Sequence, residues 1–279
     1  MLNIYYKGFF KEEGQLKCAS IKNECTRFEE PEDIDTLMKE GLFISLPIIF
    51  ASLIISARTI CTVMSDKMCG KNDLIISFII SSIILVFELI VHEIIHALLY
   101  PNKAVKEIYV TANLSSLFVY CTEPVSKTRF IIITIAPNIV LGMIPIALAV
   151  VFKNLMMNPA MVFVLSFTGF FSIITGVGDY YNIYNAIYQV PCGAYVFNSG
   201  LHSYWYECRI KERKKSAGST QALLVLLFSM GFIFLSLKIE VCILLFFINV
   251  MITALNRGSF CSVFKWLNLI AIGFAYLIL

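Results

Sequence analysis

The sequence predicts an all-α polytopic membrane protein with six to seven transmembrane helices and a small β-hairpin on the cytoplasmic side. Two observations lead to this fold class. Of the 279 residues, 58% are hydrophobic, whereas a soluble domain is about 45–50% apolar. The apolar residues also gather in runs that are long enough to cross a bilayer. The net charge of +3 is too small to predict a nucleic-acid partner.

Seven apolar runs are candidate transmembrane helices. A helix needs about 20 mostly apolar residues to span a bilayer. The last three runs are short, and Lys238 and Glu240 mark a tight turn between two of them. That pair could instead be one re-entrant hairpin, which would leave six spans. The runs are residues 42–64, 74–100, 130–152, 160–186, 221–237, 239–255 and 262–279.

Positive charge predicts the orientation of the chain. Cytoplasmic loops carry an excess of Lys and Arg. With the N-terminus inside, 16 of the 22 Lys and Arg residues fall in inner segments and four in outer ones. We therefore expect an integral membrane protein with a cytoplasmic N-terminus. The basic run 209–215 would lie on the inner side, where it either contacts anionic lipid headgroups or acts only as a topology signal.

The spans divide the chain into four regions. A cytoplasmic N-terminal segment covers residues 1–41, and a membrane core covers residues 42–205. Within that core, the helices at 74–100 and 160–186 bear the candidate site residues. A basic linker follows at 206–220, and C-terminal transmembrane spans occupy 221–279.

The strongest motif is HExxH, in the stretch ELIVHEIIHALLYP at residues 88–101. Ionisable side chains at membrane depth are costly and therefore indicate function. His92 and His96 lie on one helix face, where two imidazoles can hold one zinc ion. Glu93 then lies where a carboxylate can act as general base. Two alternatives stay open: the histidines ligate haem or a transported metal, or they belong to a buried polar network between helices.

A catalytic zinc usually has three protein ligands and one open position. Asp179 is the only acid in the fourth apolar run, and its distance from the inner end of that run matches the depth of the histidines. Gly176 and Gly178 precede it and would permit close helix approach or local unwinding. Glu88, one turn before His92, is the rival ligand, although a role in supporting His92 fits it better. Asn182 is expected to orient Asp179 or to donate a hydrogen bond to an oxyanion.

Residues 107–121 lie between the second and third apolar runs and read as a β-hairpin. Two β-rich stretches, EIYVTA and SLFVYC, flank a short turn at 113–115. A protease must bind its substrate in an extended form, and an edge strand near the metal would do so by strand addition. The alternative is a hairpin that only caps the helical bundle.

Two further stretches carry weaker signals. Pro137 and Asn138 fall in the third apolar run, where they either kink the helix near the site or have only a structural role. His202 follows the fourth run in the aromatic stretch HSYWY. A belt of aromatic residues at the membrane interface explains that stretch better than a catalytic or gating role of His202.

These motifs resemble known families. HExxH with an Asp two helices later is similar to the site-2 protease class of intramembrane zinc metalloproteases. More closely, HEIIHALLYP, FVYC, IAPN and GDYYNIY resemble a family of bacterial membrane proteins described as zincin peptidases of unknown function, over about residues 85–205. The resemblance implies a zinc peptidase in which His92, His96 and Asp179 bind the metal and Glu93 is the general base. One departure is that Tyr180 follows the Asp, where site-2 proteases usually have Gly.

The sequence therefore predicts zinc-dependent hydrolysis of a peptide bond in or near the membrane. The expected partners are the lipid bilayer and a membrane-protein or peptide substrate. The alternative function is a non-catalytic membrane protein with a structural or transport metal site. A transporter would need polar residues across the full depth of several spans, whereas here the strongly polar groups gather near one side. That distribution favours the enzyme.

Overall fold

The computed structural model describes residues 3–20, 24–64, 70–111 and 117–207. The three predicted C-terminal spans, the basic run 209–215 and the hairpin turn 113–115 lie outside the described residues. The helices within the described residues are α1 Ile34–Met64, α2 Lys71–Leu99, α3 Lys127–Pro137, α4 Ile144–Asn154, α5 Pro159–Thr175 and α6 Val177–Gln189.

Within the described residues, three helical stretches are long and apolar enough to cross a membrane. They are Asp35–Met64, Asn72–Leu99 and Lys127–Asn154, with 30, 28 and 28 residues. α5 and α6, with 17 and 13 residues, qualify as a fourth span only if they are taken together, and they are bent by 51° where they meet. The described residues thus account for the first four predicted runs, and six or seven spans are not reached within them.

The first and fourth runs differ from their predictions. α1 begins eight residues earlier than predicted, at Ile34, because the Asp33 carboxylate accepts hydrogen bonds from the backbone N–H groups of Asp35 and Thr36 and so caps the helix. Hydropathy alone misses this polar first turn. The fourth run was predicted as a single span in which Gly176 and Gly178 would permit close helix approach or local unwinding, and it breaks at Gly176 into α5 and α6.

The third span is continuous but not uniform. α3 ends at Pro137, and the six residues Asn138–Met143 form a wider π-helical segment before α4 begins. Proline has no backbone N–H, so it leaves the carbonyl group four residues earlier without its usual helical partner. Single π-helical turns of this kind are frequent at functional sites.

In the part of the chain that the structure describes, two small sheets accompany the helices, so the prediction of an all-α protein with one hairpin was incomplete. The first sheet has the order β1-β3-β4, and the second has the order β2-β7-β6-β5. The strands are β1 Ile4–Phe10, β2 Thr26–Arg27, β3 Lys106–Thr111, β4 Leu117–Tyr120, β5 Val125–Ser126, β6 Tyr195–Ser199 and β7 His202–Tyr206.

The predicted hairpin is present as the antiparallel pair β3 and β4, with Ile108 opposite Val119. The pairings that the sequence did not suggest are non-local. β1 runs parallel to β3 although about 100 residues separate them. β6 and β7 form a second hairpin, in which Gly200 has a φ of 62° at the first position of a two-residue turn.

All seven strands lie at one end of the helical bundle. β1 and β2 precede α1, β3 to β5 connect the end of α2 to the start of α3, and β6 and β7 follow α6. An apolar cluster that includes Phe28, Tyr100, Phe130 and Val196 joins this end of the helices to the strands. The burial of each such side chain stabilises the folded state by about 1.5–3 kcal/mol. This cluster therefore fixes the last turns of α2 and α6 relative to the strands.

Candidate metal and catalytic site

His92 and His96 lie on the same face of α2, near its C-terminal end. Their ring centroids are 4.8 Å apart, as expected for residues one helical turn apart. Both imidazoles direct Nε2 toward Asp179. The Nε2 atom of His92 is 3.1 Å from Asp179 Oδ2, and that of His96 is 3.3 Å from Asp179 Oδ1. The two oxygens of one carboxylate are thus divided between two imidazoles.

Asp179 reaches the histidines because of the break between α5 and α6. It lies in the first turn of α6, three residues after Gly176, where the 51° bend changes the direction of the chain. Its side chain is only 13% exposed, and those of His92 and His96 are 12% and 10% exposed. The three groups therefore form an enclosed cluster between α2 and α6.

The orientation of His96 is set by a backbone contact. Its Nδ1 atom is 2.8 Å from the carbonyl oxygen of Ile133 in α3. A carbonyl oxygen can only accept, so Nδ1 carries the hydrogen in this contact. The remaining nitrogen, Nε2, is the one that faces Asp179. This is the usual arrangement of a metal-binding imidazole, which donates its other N–H to a carbonyl or carboxylate group.

Glu93 lies beside the cluster and against the first sheet. Its carboxylate accepts a hydrogen bond from the backbone N–H of Val119 in β4 and is near enough to His92, His96 and Asp179 to interact with their charges. β4 is an edge strand among the described residues. The predicted general base and the predicted edge strand are therefore in direct contact.

Within the described residues, Glu88 makes no hydrogen bond to His92 and Asn182 makes none to Asp179. The Glu88 carboxylate accepts a hydrogen bond of 2.6 Å from Ser172 Oγ in α5, away from the Asp179 carboxylate. Glu88 and His92 line a largely apolar cavity of about 170 Å³ between α2 and α5. Asn182 is half-buried and makes no side-chain hydrogen bond within the described residues.

The amide that does bind Asp179 is Asn138. Its Nδ2 atom donates to Asp179 Oδ2 over 2.7 Å, and the side chain is completely buried. From the sequence, Asn138 was expected to kink the third span or to have only a structural role, and it also ends the IAPN motif. The sequence signal for this role is an asparagine next to a proline in an apolar helix. A buried amide without a hydrogen-bond partner is costly, so such a residue is expected to bind another polar group.

The donor atoms of the cluster fit a zinc ion. His92, His96 and Asp179 are the one group of metal-binding side chains within the described residues whose ligand atoms all lie within 4.8 Å of each other. Tetrahedral zinc with bonds of about 2.0–2.1 Å places its ligand atoms about 3.3 Å apart. The nitrogen–oxygen distances of 3.1 and 3.3 Å end on different oxygens of the Asp179 carboxylate, and both are close to this value. Two imidazoles and a carboxylate are also a common ligand set of catalytic zinc.

The comparisons with known proteins agree with this chemistry. No curated protein and no solved structure shows significant similarity to the chain. Residues 83–195, which include every side chain of the cluster, match the model of one protein family. The segment that brings His92, His96 and Asp179 together is thus similar to the family described as "Putative zincin peptidase".

Proposed function

We propose that the chain is a zinc-dependent peptidase that hydrolyses a peptide bond in or near the membrane, by chemistry of the site-2 protease type. One observation carries the proposal. The Nε2 atoms of two imidazoles converge on one carboxylate, directly beside a glutamate that touches an edge strand. The match to a zincin peptidase family over residues 83–195 supports it.

His92, His96 and Asp179 would hold the metal. When bound, zinc supplies Lewis acidity, which polarises the scissile carbonyl group and makes water a stronger nucleophile at neutral pH. The contact between His96 Nδ1 and the Ile133 carbonyl group keeps the Nε2 lone pair of His96 directed into the site. The low exposure of the three side chains limits their access to bulk water.

Glu93 acts as the general base. Its carboxylate takes a proton from the water molecule whose oxygen attacks the scissile carbonyl carbon, and it later gives that proton to the leaving amine as the C–N bond breaks. A positioned base of this kind contributes about 10²- to 10⁴-fold to the rate. The hydrogen bond from Val119 N–H holds the carboxylate at the edge of the sheet, next to the place where a substrate would lie.

β4 binds the substrate in an extended form. The Val119 N–H points away from β3, because it donates to Glu93 rather than to the neighbouring strand. An added strand could use the same edge, and main-chain hydrogen bonds would align its scissile bond with the cluster. A membrane-protein or peptide segment that is unwound at its end would satisfy this requirement.

The strands lie at the cytoplasmic end of the bundle in this proposal. The excess of Lys and Arg in the segments on that side predicts the orientation. The three apolar stretches of 28 to 30 residues support an integral membrane location. Cysteine labelling of residues 103–111 or 190–207 from the outside of intact cells would contradict the orientation, whereas labelling only after permeabilisation would support it.

The decisive experiment separates metal binding from hydrolysis. We expect one zinc per chain in the purified wild-type protein and in the Glu93→Gln variant, with cleavage of quenched fluorescent casein in detergent reduced about 10²- to 10⁴-fold in the variant. Glu88→Gln is the matched control, because it makes the same change on the same helix. Equal cleavage by Glu93→Gln and wild type, or a wild-type protein that binds no zinc, would contradict the proposal.

A further inference from the structure

We infer that the dipeptide Pro137–Asn138 positions two of the three metal-binding groups, Pro137 through His96 and Asn138 through Asp179. This inference rests on the proposed zinc site and assigns to these residues a role in its affinity for metal. The dipeptide lies at the end of α3, and α3 packs against both α2 and α6. It therefore lies between the helix with the histidines and the helix with the aspartate.

Asn138 controls how the Asp179 carboxylate is rotated. A carboxylate only accepts hydrogen bonds, so the amide must present its NH₂ group to Asp179 Oδ2, over 2.7 Å. The same oxygen is 3.1 Å from His92 Nε2, which leaves Oδ1 for His96. With Asn138 in place, each carboxylate oxygen faces a different imidazole. Without it, nothing else among the described residues donates a side-chain amide to this carboxylate.

Gly176 makes room for the Asn138 amide. A Cβ atom at position 176 would lie 1.7 Å from Asn138 Oδ1 and 2.7 Å from its Nδ2, which no side chain can accommodate. Asn138 Oδ1 is buried and has no hydrogen-bond donor within the described residues. Close packing against Gly176 and the single hydrogen bond to Asp179 thus hold the amide. By contrast, a Cβ atom at Gly178 would meet nothing within 4 Å.

Pro137 acts on His96 through a missing hydrogen bond. In a regular helix the carbonyl group of Ile133 would accept from the N–H of residue 137, but proline has none. The N–H of Asn138 donates to Ile135 instead. The Ile133 carbonyl group is therefore left for the Nδ1–H of His96, which is 2.8 Å away. The proline creates the acceptor that orients the imidazole.

Substitutions at these positions separate positioning from folding. Partners that orient metal ligands typically contribute 10- to 100-fold to metal affinity. We expect Asn138→Leu and Gly176→Ala to weaken zinc binding by about this factor, measured by competition with a chromophoric chelator in detergent. The visible spectrum of the cobalt-substituted variants should also change, because it reports on the geometry of the ligands.

Pro137→Ala gives the sharpest distinction. It restores an N–H that competes with His96 for the Ile133 carbonyl group, yet alanine favours a helix far more than proline does. We expect weaker zinc binding together with an unchanged or higher thermal midpoint of the metal-free protein in EDTA. If the proline had only a structural role, the substitution would not weaken zinc binding while it left the thermal midpoint of the metal-free protein unchanged or higher. Pro145→Ala, in the first turn of α4, and Gly178→Ala are the matched controls and should keep wild-type affinity.

The outcomes distinguish this inference from the proposed function. If Asp179→Ala abolishes zinc binding while Asn138→Leu, Gly176→Ala and Pro137→Ala bind zinc as tightly as wild type, the inference is overturned and the zinc site stands. If these variants lose affinity but wild type cleaves no peptide bond, the positioning role stands and the peptidase proposal fails. A wild-type protein that binds no zinc overturns both.

Discussion

The acidic residues of the helical bundle and those of the sheets are neutralised in different ways. In the bundle, Asp179 contacts two imidazoles and one amide, and its partners within the described residues include no Lys or Arg. In the first sheet, Glu107 is 4% exposed and lies 2.8 Å from Lys17 Nζ and 3.5 Å from Lys7 Nζ. Glu107 has permanent cations as partners, whereas Asp179 has two imidazoles, which can themselves bind a metal, and one neutral amide.

The third histidine of the chain sharpens the contrast. His202 Nδ1 lies 3.0 Å from Glu30 Oε1, and Arg27 lies 2.8 Å from Glu32 and 3.0 Å from the His202 ring. Here too a histidine meets carboxylates, but an arginine already supplies positive charge. The Glu32 side chain is also 76% exposed, so water solvates it. This cluster ties the segment after β2 to β7 and needs no metal.

Residue type alone therefore does not define a metal site. Histidine and carboxylate occur in both regions, and burial occurs in both. What separates them is whether a fixed cation balances the carboxylate. A buried carboxylate without Lys or Arg retains the capacity to bind a divalent cation, and the convergence of two Nε2 atoms on it supplies the remaining ligands.

The largest expected effect is a change in zinc content. It should follow removal of the histidine-contacting carboxylate in the bundle, but not removal of the one beside the sheets. Asp179→Ala should remove stoichiometric zinc, because it deletes a ligand, whereas Glu30→Ala should leave the zinc content unchanged. Metal analysis of the purified variants measures both, with Glu88→Ala as a control inside the bundle. Equal zinc loss from Glu30→Ala and Asp179→Ala would remove the distinction between the regions. Full zinc occupancy in Asp179→Ala would show that the third ligand lies elsewhere.

The second effect tests whether the edge strand β4 contributes to peptide cleavage at the site in the bundle. Val119→Pro removes the N–H that donates to Glu93 and disrupts the edge of β4. We expect casein cleavage to fall roughly 10- to 100-fold, since misplacement of a reacting group by about 1 Å costs this much, while zinc content is kept. Val119→Thr keeps the N–H and the side-chain shape, and it should cleave normally. Unchanged cleavage in Val119→Pro would mean that the hairpin only caps the bundle.

A smaller effect is expected from the third histidine. His202→Gln should lower the free energy of unfolding by about 1 kcal/mol, because it removes a hydrogen bond to a charged partner at a partly solvated site. Zinc affinity should not change. Thermal unfolding and chelator competition measure the two quantities on the same sample. Loss of zinc affinity in this variant would place His202 in the metal site and contradict the comparison.

The smallest effect concerns acid stability. Burial raises the pKa of Glu107, but hydrogen bonds from Lys17 and Tyr109 and the charges of Lys17 and Lys7 lower it more, so that the pKa lies below its ordinary value of 4.5. A carboxylate with a lowered pKa stabilises the fold above its unfolded pKa, and this contribution is lost as the pH falls through the folded pKa. The stabilisation is therefore complete above pH 4.5 and declines below it.

Glu107→Gln tests this assignment. The variant should be less stable than wild type at neutral pH, and its thermal midpoint should fall less steeply as the medium is acidified from about pH 6 to about pH 3.5. Glu32→Gln is the control, since its side chain is mostly exposed. Parallel acid profiles for wild type and Glu107→Gln would show that the lysines do not stabilise the charged form of Glu107.

Local sequence patterns were sufficient for the long helices and for the histidine pair. The apolar runs predicted α1, α2 and the third span to within a few residues at most ends, because crossing a bilayer requires a run of apolar residues whatever the tertiary fold. HExxH likewise carries its own geometry, since a helix brings residues four apart to one face. The β3–β4 hairpin could also be predicted, because both strands and the turn between them are contiguous in the sequence.

The remaining features of the fold and of the site depend on contacts between distant parts of the chain. The pairing of β1 with β3 and the ion pairs of Glu107 with Lys7 and Lys17 join residues about 100 positions apart, and no periodicity records such contacts. Gly176 and Gly178 look equivalent in the sequence, yet only Gly176 faces Asn138. That distinction depends on the 51° bend between α5 and α6 and on the π-helical turn after Pro137. Residue spacing identifies which side chains could bind a metal, whereas packing between α2, α3 and α6 brings them together, because convergence depends on how the helices are placed and not on spacing within any one of them.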